Sequence, residues 1–355
     1  MRTGILTFNR TINYGAILQC YALQNILHRE GHEVSVINYK QPYIEIYSSL
    51  FSWKYVWIHR CHPGNIFRYI KNYNKRKNIY VKFRDFSKQF LNSTKPCSNK
   101  NIPKDFDIYI IGSDQLWTKD HTGGIFDKTF FGAFKRNNNS QVYSYAISCN
   151  NSSIESLLKR KDFEIYKNFK ILSFREENAS KRFSEELKVE TRTDIDPTLL
   201  ADERIWEPLI NKEWSKKRYI AIYQARTING YENEIERKAT ILAQKMNIEV
   251  INLSSYKYSP SDFVSIIKYA VCIFTSSFHG LAFSLVFNKP FYVFSLNDGH
   301  DGRCLDLLNK LGIADNVVSI KFQVDGIKHI NYDKINIELE KLREHSISYI
   351  RDMLK

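Results

Sequence analysis

The sequence predicts an α/β protein built as two Rossmann-like, doubly wound domains. Three observations carry this. Short apolar runs alternate with helix-length segments along most of the chain. The alternation pauses near Pro197 and restarts at Arg218. With 355 residues, 43% hydrophobic and 25% charged, the chain exceeds one usual core and has apolar content for two.

The first unit reads as βαβ. "GILTF" is a short apolar strand and "NRTINYG" a polar loop. "AILQCYALQNILHREG" is a helix ending at Gly31, with Ile17, Cys20, Leu23 and Leu27 on one face. "EVSVINY" returns as a strand, so a parallel sheet with right-handed crossovers is expected.

Residues 43–83 break this pattern, with eleven aromatics and eight Lys/Arg against the single acid Glu45. "RYIKNYNKRKNIYVKFRDF" suits a basic amphipathic helix. Two readings stand: an inserted helical pair with packed aromatics and solvated lysines, or a docking surface for a membrane or a lipid-linked anionic acceptor.

Strand signals resume at "FDIYIIGSD" (106–114), "VYSYAIS" (142–148) and "KILSFRE" (170–176), then "VETRTDID" before Pro197, which halts regular structure. "ADERIWEPLINKEW" (201–214) looks like the connection between domains. From "RYIAIYQ" the alternation restarts: helix "YENEIERKATILAQKM", strand "IEVINLS", helix "SPSDFVSIIKYA", strand "VCIFT", a helix after His279, and strand "FYVFS". The expected organisation is a first domain over 1–200 with a basic aromatic helical insertion near 43–100. A second domain follows over 201–332, then a terminal helix over 333–355. The two halves are expected to face a cleft.

Lys+Arg number 52 against 38 Asp+Glu, a formal +14, which favours an anionic partner without choosing one. The six cysteines are scattered, with no C-x-x-C pair or zinc spacing, and read as reduced thiols. The N-terminal apolar run is too short for a signal peptide, and no stretch is long enough to span a bilayer. A cytoplasmic location is expected, with peripheral contact at the inner face of the cell membrane as an extension of it.

The most informative stretch is "CIFTSSFHGLAFSLVFNKPF" (272–291), where His279 sits between a strand pattern and a buried helix pattern with no charge nearby. In open parallel sheets, ligands bind beyond the carboxyl ends of strands, the place held here by Ser276, Ser277, Phe278, His279 and Gly280. A serine there can cap the helix, whose first N–H groups suit an anion, and Gly280 admits a close neighbour. His279 can donate to phosphate or carboxylate and move a proton near neutral pH. From this segment alone, a capped helix with an internally bonded histidine is the plainer reading.

Other polar residues share that topological position. Ser113 and Asp114 follow "DIYIIG", Arg175 follows "ILSF", and Gln224 and Arg226 follow "YIAIY"; Asp194 and Asp196 end the strand before Pro197. Arg175 can hold a carboxylate or phosphate bidentately, and Asp114 can deprotonate a hydroxyl. Alone, Asp114 is also an ordinary turn residue, and Arg175 with Glu176 also reads as a surface pair. No G-x-G-x-x-G, P-loop, G-x-S-x-G or zinc motif is present, which weakens dinucleotide, ATPase, hydrolase and zinc readings.

Together, "NYGAILQCYALQNIL", "IIGSDQLWT", "SFREENASKRF", "DPTLL" and "SSFHGLAFSLVFNKPF" stand in the order and spacing of the polysaccharide pyruvyl transferase family, which the chain resembles over roughly residues 1–300. The resemblance implies a fold similar to GT-B glycosyltransferases and phosphoenolpyruvate as donor. The product it implies is a pyruvate ketal on two sugar hydroxyls of a bacterial surface polysaccharide, such as a capsule or exopolysaccharide, or its lipid-linked precursor. It carries a catalytic expectation to His279 and Asp114. Donor binding is expected of Arg175, Ser276, Ser277 and Gly280. Asn13, Tyr14, Gln115 and Asp196 are expected to bind the acceptor or to be structural. Some members have an arginine where this chain has Ser277, so Arg226 or Arg303 is expected to hold the donor here. No metal or cofactor beyond the donor is expected. Two other classes remain: a GT-B glycosyltransferase using a sugar nucleotide, and a non-catalytic polyanion binder, for which no nucleic-acid motif is present.

Overall fold

The computed structural model describes residues 1–160, 163–224, 233–297 and 301–353. It divides into two compact units, Met1–Pro197 with Ser348–Lys355, and Thr198–Ile347.

The first unit opens with β1 (Arg2–Leu6), α1 (Tyr14–Arg29) and β2 (Glu33–Val36). Four helices follow in place of the expected pair: α2 (Pro42–Ser48), α3 (Trp53–Ile58), α4 (Pro63–Lys71) and α5 (Tyr73–Phe90). Then come β3 (Ile108–Asp114), β4 (Gln141–Ile147), α6 (Asn151–Leu158), β5 (Leu172–Phe174), α7 (Glu177–Leu187) and β6 (Thr191–Thr193). The six strands lie in the order β2-β1-β3-β4-β5-β6, every pairing parallel. β3 is buried from Ile108 to Ser113, as a parallel strand covered on both faces must be. Trp117 anchors one side of the core. Its ring stacks on Phe131 at 4.5 Å and meets Phe174 and Phe183 edge-on at 5.6 and 5.7 Å. Burying side chains of this size contributes about 1.5–3 kcal/mol each.

The stretch expected to be one basic helix over 68–86 is interrupted at Asn72, which ends α4 and begins α5 with φ −89°, ψ 13°. The far half of α5 packs inward: Phe83 lies 5.2 Å from the Tyr14 ring and Phe86 lies 5.9 Å from Tyr21. On α3, α4 and the start of α5, Trp53, Trp57, Phe67 and Tyr73 are exposed, while Tyr69 is buried.

Pro197 ends the strand region but also opens a one-turn helix, α8 (Pro197–Leu200), a position where its missing N–H costs nothing. The stretch expected to connect the domains contains α9 (Glu203–Trp206) and two short 3-10 turns. The second unit continues with β7 (Tyr219–Tyr223), α10 (Glu234–Met246), β8 (Glu249–Asn252), α11 (Pro260–Tyr269) and β9 (Cys272–Thr275). It ends with α12 (Phe278–Val286), β10 (Phe291–Ser295), α13 (Gly302–Lys310), β11 (Val317–Ser319) and α14 (Tyr332–Asp352). Its five parallel strands are ordered β11-β10-β9-β7-β8. Ser259 and Asp262 form a reciprocal capping box at the start of α11. Phe283 of α12 packs edge-on against Trp206 at 4.8 Å and Phe263 at 5.6 Å.

The C-terminal helix stands where it was expected, as α14. Its last residues belong to the first unit, where Tyr349 donates its hydroxyl to Ser144 O at 3.0 Å and carries the Arg192 guanidinium over its ring at 4.1 Å. All six cysteines are free, and only Cys61 is exposed.

Candidate functional site

In each sheet the strand order marks one crevice. β1 has β2 on one side and β3 on the other, so the chain leaves β1 toward β2 and leaves β3 toward β4, in opposite directions. β7 stands in the same relation to β8 and β9. Loops at such a switch point part from one another beyond the strand ends, which is where open α/β sheets bind ligands. Of the two stretches singled out in the sequence, Ser113–Asp114 closes β3 and Ser276–His279 follows β9.

At the first switch point the strand ends are tied together. Thr7 donates its hydroxyl to Ser113 O at 2.8 Å and accepts from Gln19 Nε2 at 2.8 Å; Gln19 Oε1 accepts from Ser113 N at 3.3 Å. Gly112 has φ +132°, and a Cβ there would stand 2.0 Å from Tyr145 O, so only glycine fits. Asp114 has φ +88°, a costly conformation for a side-chain-bearing residue, while its carboxylate retains 13% exposure. Strain of this kind persists where surroundings over-determine it, and it marks Asp114 as a functional candidate.

Behind Asp114 lies a buried polar cluster. Arg175 Nη2 contacts Asp196 Oδ2 at 2.6 Å and Ser113 Oγ at 2.8 Å, and lies 3.8 Å from Asp114 Oδ1. Ser113 donates its hydroxyl to Ala146 O at 2.8 Å. The surface-pair reading of Arg175 with Glu176 is overturned. Arg175 is buried against Asp196, whose ionic partnership offsets its desolvation, while Glu176 accepts from Ser148 Oγ at 2.6 Å. Asp194 has its own partners: Ser173 Oγ donates to Oδ2 at 2.6 Å, and Arg192 forms a fork to both oxygens at 2.7 and 2.9 Å. Sequence reasoning missed Thr7, Gln19, Ser173 and Arg192. The available signal was a polar residue inside or just beyond an apolar strand, as with Thr7 in "GILTF".

At the second switch point, Thr275 organises the turn. Its hydroxyl donates to Tyr223 O at 2.6 Å, linking β9 to β7, and its Oγ1 accepts from Ser277 N at 3.0 Å. Ser277 holds the N-cap position of α12 but makes no side-chain cap, contrary to expectation; the Thr275 hydroxyl occupies the turn instead. The close neighbour that Gly280 admits is this same threonine, since a Cβ at Gly280 would stand 2.2 Å from Thr275 Oγ1. Gly280 therefore serves helix–strand packing. Ser276, Ser277 and His279 are 3%, 5% and 6% exposed; the imidazole stands edge-on to Phe278 with its Nε2 buried.

The remaining expected residues scatter. Asn13 caps α1, accepting from Ala16 N at 3.1 Å, and Tyr14 is fully buried against Phe83. Gln115 is buried, with Oε1 2.9 Å from His121 Nε2. Gln224 lies just after β7 and donates its backbone N–H to Ser254 Oγ at 2.7 Å. Arg303 is half-buried in the first turn of α13. Arg226 lies outside the described residues. Among the described residues, no group of three or more His, Cys, Asp or Glu is placed to hold a metal ion.

The family model described as "Polysaccharide pyruvyl transferase" matches residues 13–298, which takes in both switch-point turns. No curated protein matches the chain. Among solved structures, the chain is similar to a UDP-GlcNAc 2-epimerase from Neisseria meningitidis bound to UDP-GlcNAc: 11% identity, 99% of this chain and 94% of that one, TM-score 0.47. It is similar to S. aureus MnaA in its structure with UDP at 11% identity, 98% and 91% coverage and TM-score 0.46. It is also similar to the E. coli heptosyltransferase WaaC with ADP at 10% identity, 96% and 100% coverage and TM-score 0.41. At these values the structural likenesses carry no weight for activity.

Proposed function

Because the chain belongs to the polysaccharide pyruvyl transferase family, we propose that it transfers the enolpyruvyl group of phosphoenolpyruvate onto two hydroxyls of a sugar. The acceptor on this reading is a surface polysaccharide, such as a capsule or exopolysaccharide, or its lipid-linked precursor. A lipid-linked acceptor would set the work on the cytoplasmic side, beside the inner face of the membrane. The observation that carries the reading is a family match over 13–298 that includes a strained carboxylate at the last residue of β3 and a histidine just beyond β9, both strands lying beside a switch point.

The chemistry balances with these side chains. Protonation of the donor at C3 makes C2 electrophilic, and a first sugar hydroxyl bonds to C2 as it loses its proton. The C2–phosphate bond then breaks, and the second hydroxyl closes the ketal. Of the two hydroxyl protons, one ends on the new methyl group and the other leaves with phosphate. His279 is assigned the proton delivery to C3 and Asp114 the proton acceptance from the hydroxyl. Arg175 holds the Ser113–Asp114 turn from behind through Asp196 and Ser113, a positioning role. Donor contacts are assigned to the turn at Ser276–Ser277, with the first N–H groups of α12, and to Arg303. Gly280 contributes by seating that turn on Thr275.

The test is direct. Purified protein is incubated with phosphoenolpyruvate and a glycan acceptor pool, and phosphate release is measured with ketal-linked pyruvate by mass spectrometry. Acceptor-dependent phosphate release with a matching mass gain supports the reading. A rise in melting temperature with a nucleotide sugar, and none with phosphoenolpyruvate at millimolar concentration, overturns it.

A further inference from the structure

Nine of the fifteen large hydrophobic side chains that stand exposed among the described residues fall between Tyr47 and Val81, a tenth of the chain. Single exposed apolar residues are ordinary; a concentration of this kind marks an interaction surface. Trp53 and Trp57 are 77% and 65% exposed and lie four residues apart on α3, so they share a face. Phe67 and Ile70, 67% and 61% exposed, lie three apart on α4.

These residues are not outward by accident of a loose segment. On the inner side, Tyr55 of α3 stacks on Tyr69 of α4 with ring centroids 4.2 Å apart, and the Arg76 guanidinium lies 3.5 Å over the Tyr69 ring. Arg76 also donates to the Leu50 and Ser49 carbonyls at 2.7 and 3.2 Å. This stack joins α3, α4 and the start of α5 and leaves the tryptophans facing solvent. Beside it opens a cavity of about 260 Å³ lined by Tyr47, Tyr55, Asn65, Arg68 and Arg76, among others.

The charge is one-sided. From Ile46 to Arg84 there is no Asp or Glu, against nine Lys/Arg. Lys54, Arg60, Arg68 and Lys71 are exposed around the apolar residues. Protein-binding surfaces are usually depleted in lysine relative to the rest of the surface. Nucleic-acid surfaces use aromatic faces but have no call for exposed Ile58, Ile70 and Val81. Tryptophan with bulky aliphatics inside a cationic rim matches the lipid–water boundary, where indole sits at headgroup depth and Lys/Arg meet anionic phosphates. Among the described residues no helix is long and apolar enough to cross a membrane, so contact would be at the surface.

We infer that the outer face of α3 and α4 is a docking surface for an anionic lipid bilayer, with Trp53, Trp57, Phe67 and Ile70 entering the interface and the cavity beside Arg68 and Arg76 receiving a headgroup phosphate. The inference suits a lipid-linked acceptor, yet rests only on exposure and charge. Its failure would leave the proposed reaction untouched.

The test is co-flotation of the full chain, without donor or acceptor, on phosphatidylcholine vesicles with and without phosphatidylglycerol. Binding only to the anionic vesicles, weakened by salt, is expected. Trp53→Ser with Trp57→Ser and Phe67→Ser should weaken it about tenfold or more. Lys54→Gln, Arg60→Gln, Arg68→Gln and Lys71→Gln should cost about fivefold per charge. Quenching of wild-type tryptophan fluorescence by bromine-labelled lipid checks insertion without any substitution. Equal binding to neutral vesicles, no binding, or no quenching overturns the inference. So does a dimer that the tryptophan substitutions dissociate, or retention on RNA in preference to anionic vesicles.

Discussion

Arg175 Nη2 and Asp196 Oδ2 lie 2.6 Å apart, with side chains only 4% and 0% exposed, and the same nitrogen is 3.8 Å from the Asp114 carboxylate. The pair thus joins the end of β5, and the segment after β6, to the turn that ends β3. A buried ion pair adds little net stability when intact, because desolvation offsets attraction, but it is costly to break. It therefore acts as a locator for Ser113 and Asp114.

Removing one partner should show this. Asp196→Ala leaves a buried guanidinium without its carboxylate and should lower unfolding free energy by about 3–5 kcal/mol in urea denaturation. Arg175→Met combined with Asp196→Leu should recover part of that loss, since neither charge remains. A loss below about 1 kcal/mol for Asp196→Ala would contradict the buried pairing.

Asp114 can be tested without disturbing its backbone. Asparagine tolerates positive φ better than most residues, so Asp114→Asn keeps the turn and removes only the basic oxygen. Ketal-forming kcat should drop by about 10²–10⁴ with a melting temperature close to the parent's. His279→Gln should give a loss of the same order. Unchanged turnover in either variant removes that residue from the chemistry.

Gly280→Ala should destabilise the second unit, because the new methyl would stand 2.2 Å from Thr275 Oγ1 and 2.9 Å from its Cβ. Overpacking of this kind costs about 1–3 kcal/mol. Adding Thr275→Ala should restore some stability despite the lost bond to Tyr223 O, giving a favourable coupling of about 0.5 kcal/mol or more in a double-mutant cycle. Additive losses would mean that the two residues do not meet.

His32 supplies a pH dependence. Burial, helped by the N-terminal amine and opposed by Glu30, lowers its pKa from 6.5 to about 4, and its Nδ1 lies 2.5 Å from Thr3 Oγ1. Between those values the unfolded chain binds more protons, so stability rises with pH. The contribution is complete above about 6.5 and is lost as pH falls toward about 4, amounting to about 3 kcal/mol at most. Carboxylates titrate near the lower end too, so the readout is the difference between parent and His32→Asn. The fall in urea midpoint from pH 7 to pH 4.5 should be smaller in the variant; equal falls would exclude His32 as the source.

Local order along the chain was sufficient for the alternation of strands and helices, because parallel strands covered on both faces need unbroken apolar runs such as "DIYIIG". The motif set that places the chain in its family, and the polar residues that end each strand, are likewise local. Strand order is not, since it depends on pairings such as Thr3 with Ile108, a hundred residues apart. Only the folded chain could show that Asp114 and His279 stand at the carboxyl ends of strands beside the switch points. It alone assigned Arg175 to Asp196 rather than Glu176, and gave the turn before α12 to Thr275 rather than Ser277. The break at Asn72 and the outward tryptophans also depended on packing, here the stack of Tyr55, Tyr69 and Arg76. Sequence sets which groups must be buried or solvated; the partner each buried polar group finds is chosen by distances that exist only after the sheets have formed.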